Sequence, residues 1–219
     1  LPGPLDAQNF VEDPNPGKRA RLIDRLLVSP EYAAFWALKW ADLLRVEEKT
    51  LDAKGVETFH NWIRKSLATG KPLDSFAREI LSSTGSTYEN PPTNFYRALR
   101  VPVDRAEATA QVFLGSRLKC ARCHDHPFED IRQDDYYRFA ALFDGIDYEI
   151  VENKRKDGFD KHQFRGEQKV KLVALDKLDS KNVLKHPRTK KPPKPGLLDR
   201  KAPPLISLNH RLKEMAQWV

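Results

Sequence analysis

The chain has 219 residues, of which 40% are hydrophobic, and its 4 Trp and 11 Phe supply bulky core material. This length supports one substantial core, or one core with a small appendage, and no run of eighteen apolar residues is present to span a membrane. The 38 Lys and Arg against 31 Asp and Glu give a net charge of +7. That charge suits an anionic partner, but it does not choose between nucleic acid, an acidic glycan and an acidic redox protein.

Helical periodicity dominates the sequence as far as residue 143. Ser29 is expected to cap the third predicted helix, with Pro30 as its first residue. A loop is predicted over residues 85–92, which are rich in Gly, Ser, Thr, Asn and Pro. The predicted helices are residues 6–12, 18–28, 31–44, 58–67, 73–82, 94–99, 104–118, 134–143 and, near the end of the chain, 209–218.

The third predicted helix is unusually aromatic. It contains Tyr32, Phe35, Trp36 and Trp40, and the last two are four residues apart, which places them on one face. We expect Trp36 and Trp40 to stack there. The cluster either packs the core or forms a wall of a cofactor pocket.

The pattern changes after Gly145. Residues 146–151 and 169–175 alternate apolar and charged side chains, so they are predicted to form two strands of a small sheet. Residues 176–202 are rich in proline and are predicted to form an extended basic arm. The nine cations of this arm are Lys177, Lys181, Lys185, Arg188, Lys190, Lys191, Lys194, Arg200 and Lys201.

Both cysteines of the chain lie in one short stretch, Cys120-Ala121-Arg122-Cys123, and His124 follows directly. This order, C-x-x-C-H, is the attachment signature of c-type haem, in which two thiols bond the porphyrin and the histidine ligates the iron. We therefore predict that Cys120, Cys123 and His124 bind haem c, with His124 as the iron ligand. The alternatives are a Zn²⁺ site made of Cys120, Cys123 and a histidine, a redox disulfide, or an inert thiol pair.

The remaining histidines are weaker candidates. His126 is included in the predicted cofactor-binding set as a hydrogen-bond partner, a structural residue or a zinc ligand, because it lies too close to His124 to reach the opposite face of one ring. Asp125 can orient an imidazole in the same way. For His60, His162, His186 and His210 a core or surface position is favoured over ligation. Met215 is the only methionine and lies near the end of the chain, so we expect the sixth iron position to be open.

The motif and its surroundings resemble the planctomycete-type cytochrome-c-like domain of unknown function, DUF1549 (PSCyt2). The resemblance is most specific in QVFLGSRLKCARCHDHPF, residues 111–128, and it covers nearly the whole chain. Other matching stretches are residues 18–27, 29–32, 36–45, 94–97, 134–143 and 186–189. The last helix resembles the start of the companion domain, DUF1553 (PSD1). His60 departs from the family pattern, which has a tyrosine there, so it is not carried over as a ligand.

The resemblance implies a bacterial protein that is exported or attached to the cell surface, and it implies no known activity. We expect a periplasmic or extracellular location and a partner that is a redox protein, a companion domain of the same polypeptide, or acidic polysaccharide. Nucleic acid is not expected as a partner. The chain begins at Leu1 without an initiator Met, so we expect it to be a piece of a longer protein.

The sequence thus predicts a mainly α-helical fold around the C-x-x-C-H motif, with a small β-hairpin or sheet and a Pro-rich basic arm. The expected divisions are a helical haem c-like domain over 1–145, a β element with the arm over 146–203, and the start of a following helical region over 204–219. The first functional hypothesis is a haem c domain for electron transfer or small-molecule redox chemistry. The others are a zinc- or disulfide-stabilised structural module and a basic module that binds acidic polysaccharide, and whether the chain is an enzyme is left open.

Overall fold

A computed structural model describes residues 2–154, 165–178, 183–202, 204–205, 207 and 210–219. In this part of the chain the fold is mainly helical with a small antiparallel sheet, which confirms the predicted fold class. The predictions for His162 and Lys181 lie outside the described residues. None of the described helices is both long and apolar enough to cross a membrane.

The helices begin and end close to their predicted positions, with two exceptions that are treated below. The α-helices are α1 Pro4–Glu12, α2 Lys18–Leu27, α3 Pro30–Leu43, α4 Glu48–Ala68, α5 Leu73–Leu81, α6 Asn94–Ala98, α7 Pro102–Phe113, α8 Gln133–Ala140 and α9 Arg211–Trp218. Short 3₁₀ turns lie at Pro91–Thr93, Leu118–Arg122, Ala141–Phe143 and Leu175–Lys177. The start of α3 is as predicted, because the Ser29 side chain accepts a hydrogen bond from Tyr32 N at 3.2 Å.

Among the described residues, a single hydrophobic core collects side chains from the helices α3 to α9. Its large buried members include Phe59 of α4, Phe76 of α5, Phe95 of α6, Phe139 of α8 and Met215 of α9. All three predicted divisions of the chain therefore contribute to one core, and their boundaries at residues 145 and 203 stay predictions.

The sheet has three strands in the order β1–β3–β2, where β1 is Gly85–Ser86, β2 is Ile146–Ile150 and β3 is Gln168–Leu172. β3 pairs antiparallel with both neighbours, so Val170 lies between Gly85 and Tyr148. The two alternating segments pair as predicted. β1 falls in the predicted loop because two residues are too few to show alternation.

Two helical predictions are wrong in extent. α4 starts at Glu48 rather than at residue 58, and it contains a kink at Asp52, where φ is 55°. α7 ends at Phe113 rather than at residue 118, because Gly115 adopts a φ of 66° and Ser116 N bonds back to Ala110 O at 3.0 Å. A glycine in the left-handed conformation is a common way for a helix to end. The C-x-x-C-H motif consequently lies on a separate turn and is not continuous with α7.

From residue 183 to 202 the predicted basic arm has no helix or strand, as its proline content predicts, but it does not project from the domain. Residues 183–202, which we term the strap, lie against α8. Gly196 N donates to Arg138 O at 3.1 Å, and Leu197 is buried. Proline prevents helix and strand here without preventing tertiary packing.

Candidate functional site

The C-x-x-C-H motif occupies the 3₁₀ turn Leu118–Arg122 and the residues directly after it. Leu118 and Ala121 are buried and attach the turn to the core. Cys120 and Cys123 are both free thiols and both exposed, and Cys123 N bonds to Cys120 O at 3.4 Å. The structure therefore presents the two sulfurs on the surface of a well-anchored turn.

The exposed ring of His124 has one nitrogen engaged and one available. Its Nδ1 lies 2.7 Å from the backbone oxygen of Asp125. A carbonyl oxygen can only accept, so Nδ1 donates this hydrogen bond, and in the neutral imidazole Nε2 then has a lone pair for a ligand. An orienting hydrogen bond of this kind on the other ring nitrogen is typical of metal-ligating histidines.

His126 has the opposite surroundings. Its side chain is only 5% exposed, its Nε2 donates to Arg117 O at 3.2 Å, and its Nδ1 accepts from Glu129 N at 3.0 Å and Phe128 N at 3.3 Å. Both ring nitrogens are thus used to join the segment before the motif to the loop after it. The structure gives His126 a loop-closing role, and its predicted contact with a cofactor stays a prediction.

Residues of helix α8 form hydrogen bonds with the motif. Gln133 Nε2 donates to Arg122 O at 3.0 Å, and Tyr137 Oη donates to the same oxygen at 3.3 Å. The Asp125 carboxylate accepts from Gln133 N at 2.8 Å at the start of α8. Burial raises the pKa of the Tyr137 phenol, which therefore keeps the proton that it donates. Sequence reasoning missed Gln133 and Tyr137, because nothing in their spacing separates them from ordinary residues of an amphipathic helix.

The strap holds the same end of α8. Arg200 donates to the Asp135 carboxylate at 2.9 Å and to both carboxylate oxygens of Asp130, at 3.1 and 3.3 Å. Asp130 belongs to the loop that follows the motif, and Asp135 also accepts from Arg132 N at 2.9 Å. One guanidinium thus joins the strap, the motif loop and the first turn of α8.

The structure does not bring together the ligands of the alternative Zn²⁺ site, which are Cys120, Cys123 and a histidine. Within the described ranges, no group of three or more His, Cys, Asp or Glu side chains could hold a metal ion. Cys120, Cys123 and His124 are close in sequence but do not form such a group, and both ring nitrogens of His126 are bonded to the backbone. A zinc site would have to recruit a further ligand.

The candidates for a second axial iron ligand have buried ligating atoms. Met215 is 0% exposed in the core, and His60 Nε2 is buried within the packing of α4. His186 Nε2 lies 3.0 Å from the Asp134 carboxylate.

The aromatic cluster of α3 is divided between core and surface. Trp40 packs against Phe76 and Phe113, with ring centroids 5.0 and 6.4 Å apart. Trp36 contacts Tyr32 and Phe35 instead and is 42% exposed. The expected stacking of Trp36 on Trp40 is wrong, because Trp40 packs on core rings of α5 and α7 while Trp36 packs on its neighbours in α3.

The donor set of the motif fits a covalently attached haem. Two free thiols at C-x-x-C spacing and one imidazole with an available Nε2 are the groups that such a haem requires. Phe128, the large apolar residue of the motif loop, is 92% exposed. A planar group attached here would therefore lie on the outer surface of the domain.

One comparison with known proteins gives a match. A sequence model described as "Protein of unknown function (DUF1549)", PSCyt2, matches residues 1–148, which include the motif and α8. No curated protein and no solved structure matches the chain. The match ends before β3, the strap and α9, so the resemblance of the last helix to DUF1553 stays a prediction.

Proposed function

Because the chain belongs to the PSCyt2 family, whose function is unknown (DUF1549), we propose a function from its own site: it is an extracytoplasmic c-type cytochrome-like domain that binds haem covalently. The attachment residues are Cys120 and Cys123, and His124 is the iron ligand. The observation that carries the proposal is the pair of free, exposed thiols directly before a histidine whose Nε2 is available. When bound, the haem would supply a redox-active iron for electron transfer or small-molecule redox chemistry.

The protein's own residues hold the attachment turn in place. Asp125 O orients the His124 ring through Nδ1. Gln133 and Tyr137 donate hydrogen bonds to the carbonyl oxygen of Arg122, which lies between the two cysteines. His126 bonds to Arg117 O and so connects the loop after the motif to the segment before it. The attachment turn is therefore preorganised by groups that are not themselves ligands.

The second axial position is proposed to be open. Both nitrogens of His126 are engaged, Met215 lies in the core, and His60 Nε2 is buried, so these three residues are poor candidates for that position. An open position suits the binding of a small molecule better than simple outer-sphere electron transfer.

The proposal also implies a compartment and a partner. Haem c is attached outside the cytoplasm, so the domain is proposed to be periplasmic or extracellular and to belong to a larger bacterial protein. Electrons would pass to a redox partner protein or to a companion domain in the same polypeptide.

The test is to export the chain in a host with a haem c maturation system and to measure the intact mass. We expect an increase by one haem that survives acid–acetone extraction, and its loss in the Cys120→Ser/Cys123→Ser variant. The matched control, Ser82→Ala/Ser83→Ala, alters two residues of another loop and should keep the haem. A colourless product with stoichiometric zinc would favour the structural metal site, and a mass two hydrogens lower would favour a disulfide; either result contradicts the proposal.

A further inference from the structure

The strap carries most of the net charge of the protein. Residues 183–202 contain seven Lys and Arg against a single carboxylate, Asp199, a difference of 7 − 1 = +6, whereas the whole chain has a net charge of +7. The rest of the sequence is therefore close to balanced. Such an asymmetry indicates an anionic partner for this segment.

Only two of these seven cations are neutralised by the fold. Arg188 lies 3.0 Å from the Asp134 carboxylate, and Arg200 binds Asp130 and Asp135. The other five are exposed and have no carboxylate within ion-pair distance among the described residues. They are Lys185, Lys190, Lys191, Lys194 and Lys201.

Hydrogen bonds and a ring contact hold the backbone that carries these lysines. A tight turn is closed by Lys190 N to His186 O at 2.8 Å and by His186 N to Lys191 O at 3.0 Å. The buried ring of His186 packs edge-on against Tyr137 of α8 at 4.9 Å between centroids. Because the strap is ordered before any ligand arrives, binding would not have to order it.

A groove runs between the strap and α8. It consists of two neighbouring cavities of about 400 and 480 Å³, and Arg138 and Lys194 line both of them. Gly196 lets the Arg138 side chain lie against the strap, since a Cβ at residue 196 would be 2.6 Å from Arg138 Nη2. The guanidinium therefore lies at the groove, 3.9 Å from the Asp135 carboxylate, where it can also meet an anionic group of a ligand.

We propose that this groove and the five lysines bind an acidic polysaccharide through its carboxylate or sulfate groups. Lysine ammonium groups act as point charges and need no planar partner, which suits anions spaced along a sugar chain. The strap has no Phe, Tyr or Trp on which bases could stack, and the ring of its histidine, His186, is buried. It also offers no helix to enter a DNA groove, so nucleic acid is the poorer fit. The binding is independent of whether haem is attached.

The test compares polygalacturonate, dextran sulfate and neutral dextran by affinity electrophoresis of the full chain. We expect salt-sensitive retardation by one or both acidic polymers and none by dextran. The two acidic polymers distinguish carboxylate from sulfate recognition. Lys190→Gln/Lys191→Gln/Lys194→Gln should weaken binding at least about tenfold. The control Lys49→Gln/Lys65→Gln/Lys213→Gln removes the same charge from exposed sites elsewhere and should change binding less than about twofold.

A second variant tests the groove without changing charge. Gly196→Ala should weaken binding about threefold, because the added methyl group displaces Arg138, while circular dichroism reports an intact fold. Equal losses in the two lysine triples, unchanged binding by Gly196→Ala, or duplex DNA bound as tightly as the acidic polysaccharides would each overturn the proposal.

Discussion

His124 and His126 lie two residues apart, yet their side chains have opposite surroundings. The His124 ring is exposed and offers Nε2, whereas the His126 ring is enclosed and bonded at both nitrogens. The motif therefore contains one histidine ring that is available to a ligand and one that is part of the structure.

Replacing each histidine individually by alanine compares their contributions to the free energy of unfolding. His126→Ala leaves Arg117 O and the amides of Phe128 and Glu129 without their partners, so the free energy of unfolding should fall by about 1–3 kcal/mol. His124→Ala removes an exposed ring and should change it by no more than about 0.5 kcal/mol. Urea denaturation of both variants decides the point, and equal losses would contradict the assignment.

Asp52 is a second residue whose role the sequence does not reveal. It adopts a φ of 55° inside α4, and its carboxylate accepts hydrogen bonds from Gly55 N, Tyr88 Oη, Arg97 Nη2 and Gly166 N. Burial alone would raise the pKa of Asp52, but the bonds from Gly55, Gly166 and Arg97 lower it below its ordinary value of 3.8.

The direction of this pKa shift predicts a pH dependence. Because the folded pKa lies below the unfolded one, the carboxylate stabilises the fold fully above the unfolded pKa, and this stabilisation is lost as pH falls through the folded pKa. Asp52→Asn should lower stability at neutral pH and should lose less on acidification to about pH 3 than the parent. Urea midpoints across this range test it, and parallel curves would contradict the assignment.

At the scale of elements, sequence periodicity identified most helices and the β2–β3 pair, because each buries one regular face. It failed where a local backbone conformation or a contact with a distant part of the chain determines where an element ends or which residues lie together. Gly115 ends α7 before the motif, and β1 is too short to show alternation. The C-x-x-C-H donors were visible from spacing alone, whereas Gln133 and Arg200 reach the motif region only through tertiary packing.

The strap provides a prediction at this scale. Arg200→Gln removes the bonds to Asp130 and Asp135, so the strap should separate from α8 more often and the Gly196 amide should exchange with solvent several-fold faster. Lys201→Gln changes the neighbouring cation, which has no carboxylate partner among the described residues, and should leave the exchange unchanged. Hydrogen exchange followed by mass spectrometry compares them, and identical protection in the two variants would show that Arg200 does not fasten the strap.

At the scale of the whole molecule, α9 belongs to the same core as the helices that precede the motif. Met215 is fully buried there, and Arg211 donates to Leu142 O at 3.0 Å from inside the fold. Hydrophobic periodicity predicted the helix, but it could not indicate which surface the helix covers.

Shortening the Met215 side chain tests whether α9 is part of the common core. Met215→Ala should lower the free energy of unfolding by about 2–5 kcal/mol while keeping a single cooperative transition. Gln217→Ala, an exposed change in the same helix, serves as the control. A minor effect of Met215→Ala, or a separate early transition confined to α9, would show that this helix is not part of the common core.

The central claim, that the Cys120–His124 turn binds haem c, is tested most directly by the visible absorption spectrum of the exported, purified chain. We expect a Soret band in the oxidised protein, α and β bands after reduction, and high-spin features that shift when cyanide or carbon monoxide is added. His60→Ala should leave this spectrum unchanged. A colourless protein from a host that matures other c-type cytochromes would contradict haem attachment, and a low-spin parent that becomes high-spin in His60→Ala would contradict the open second position.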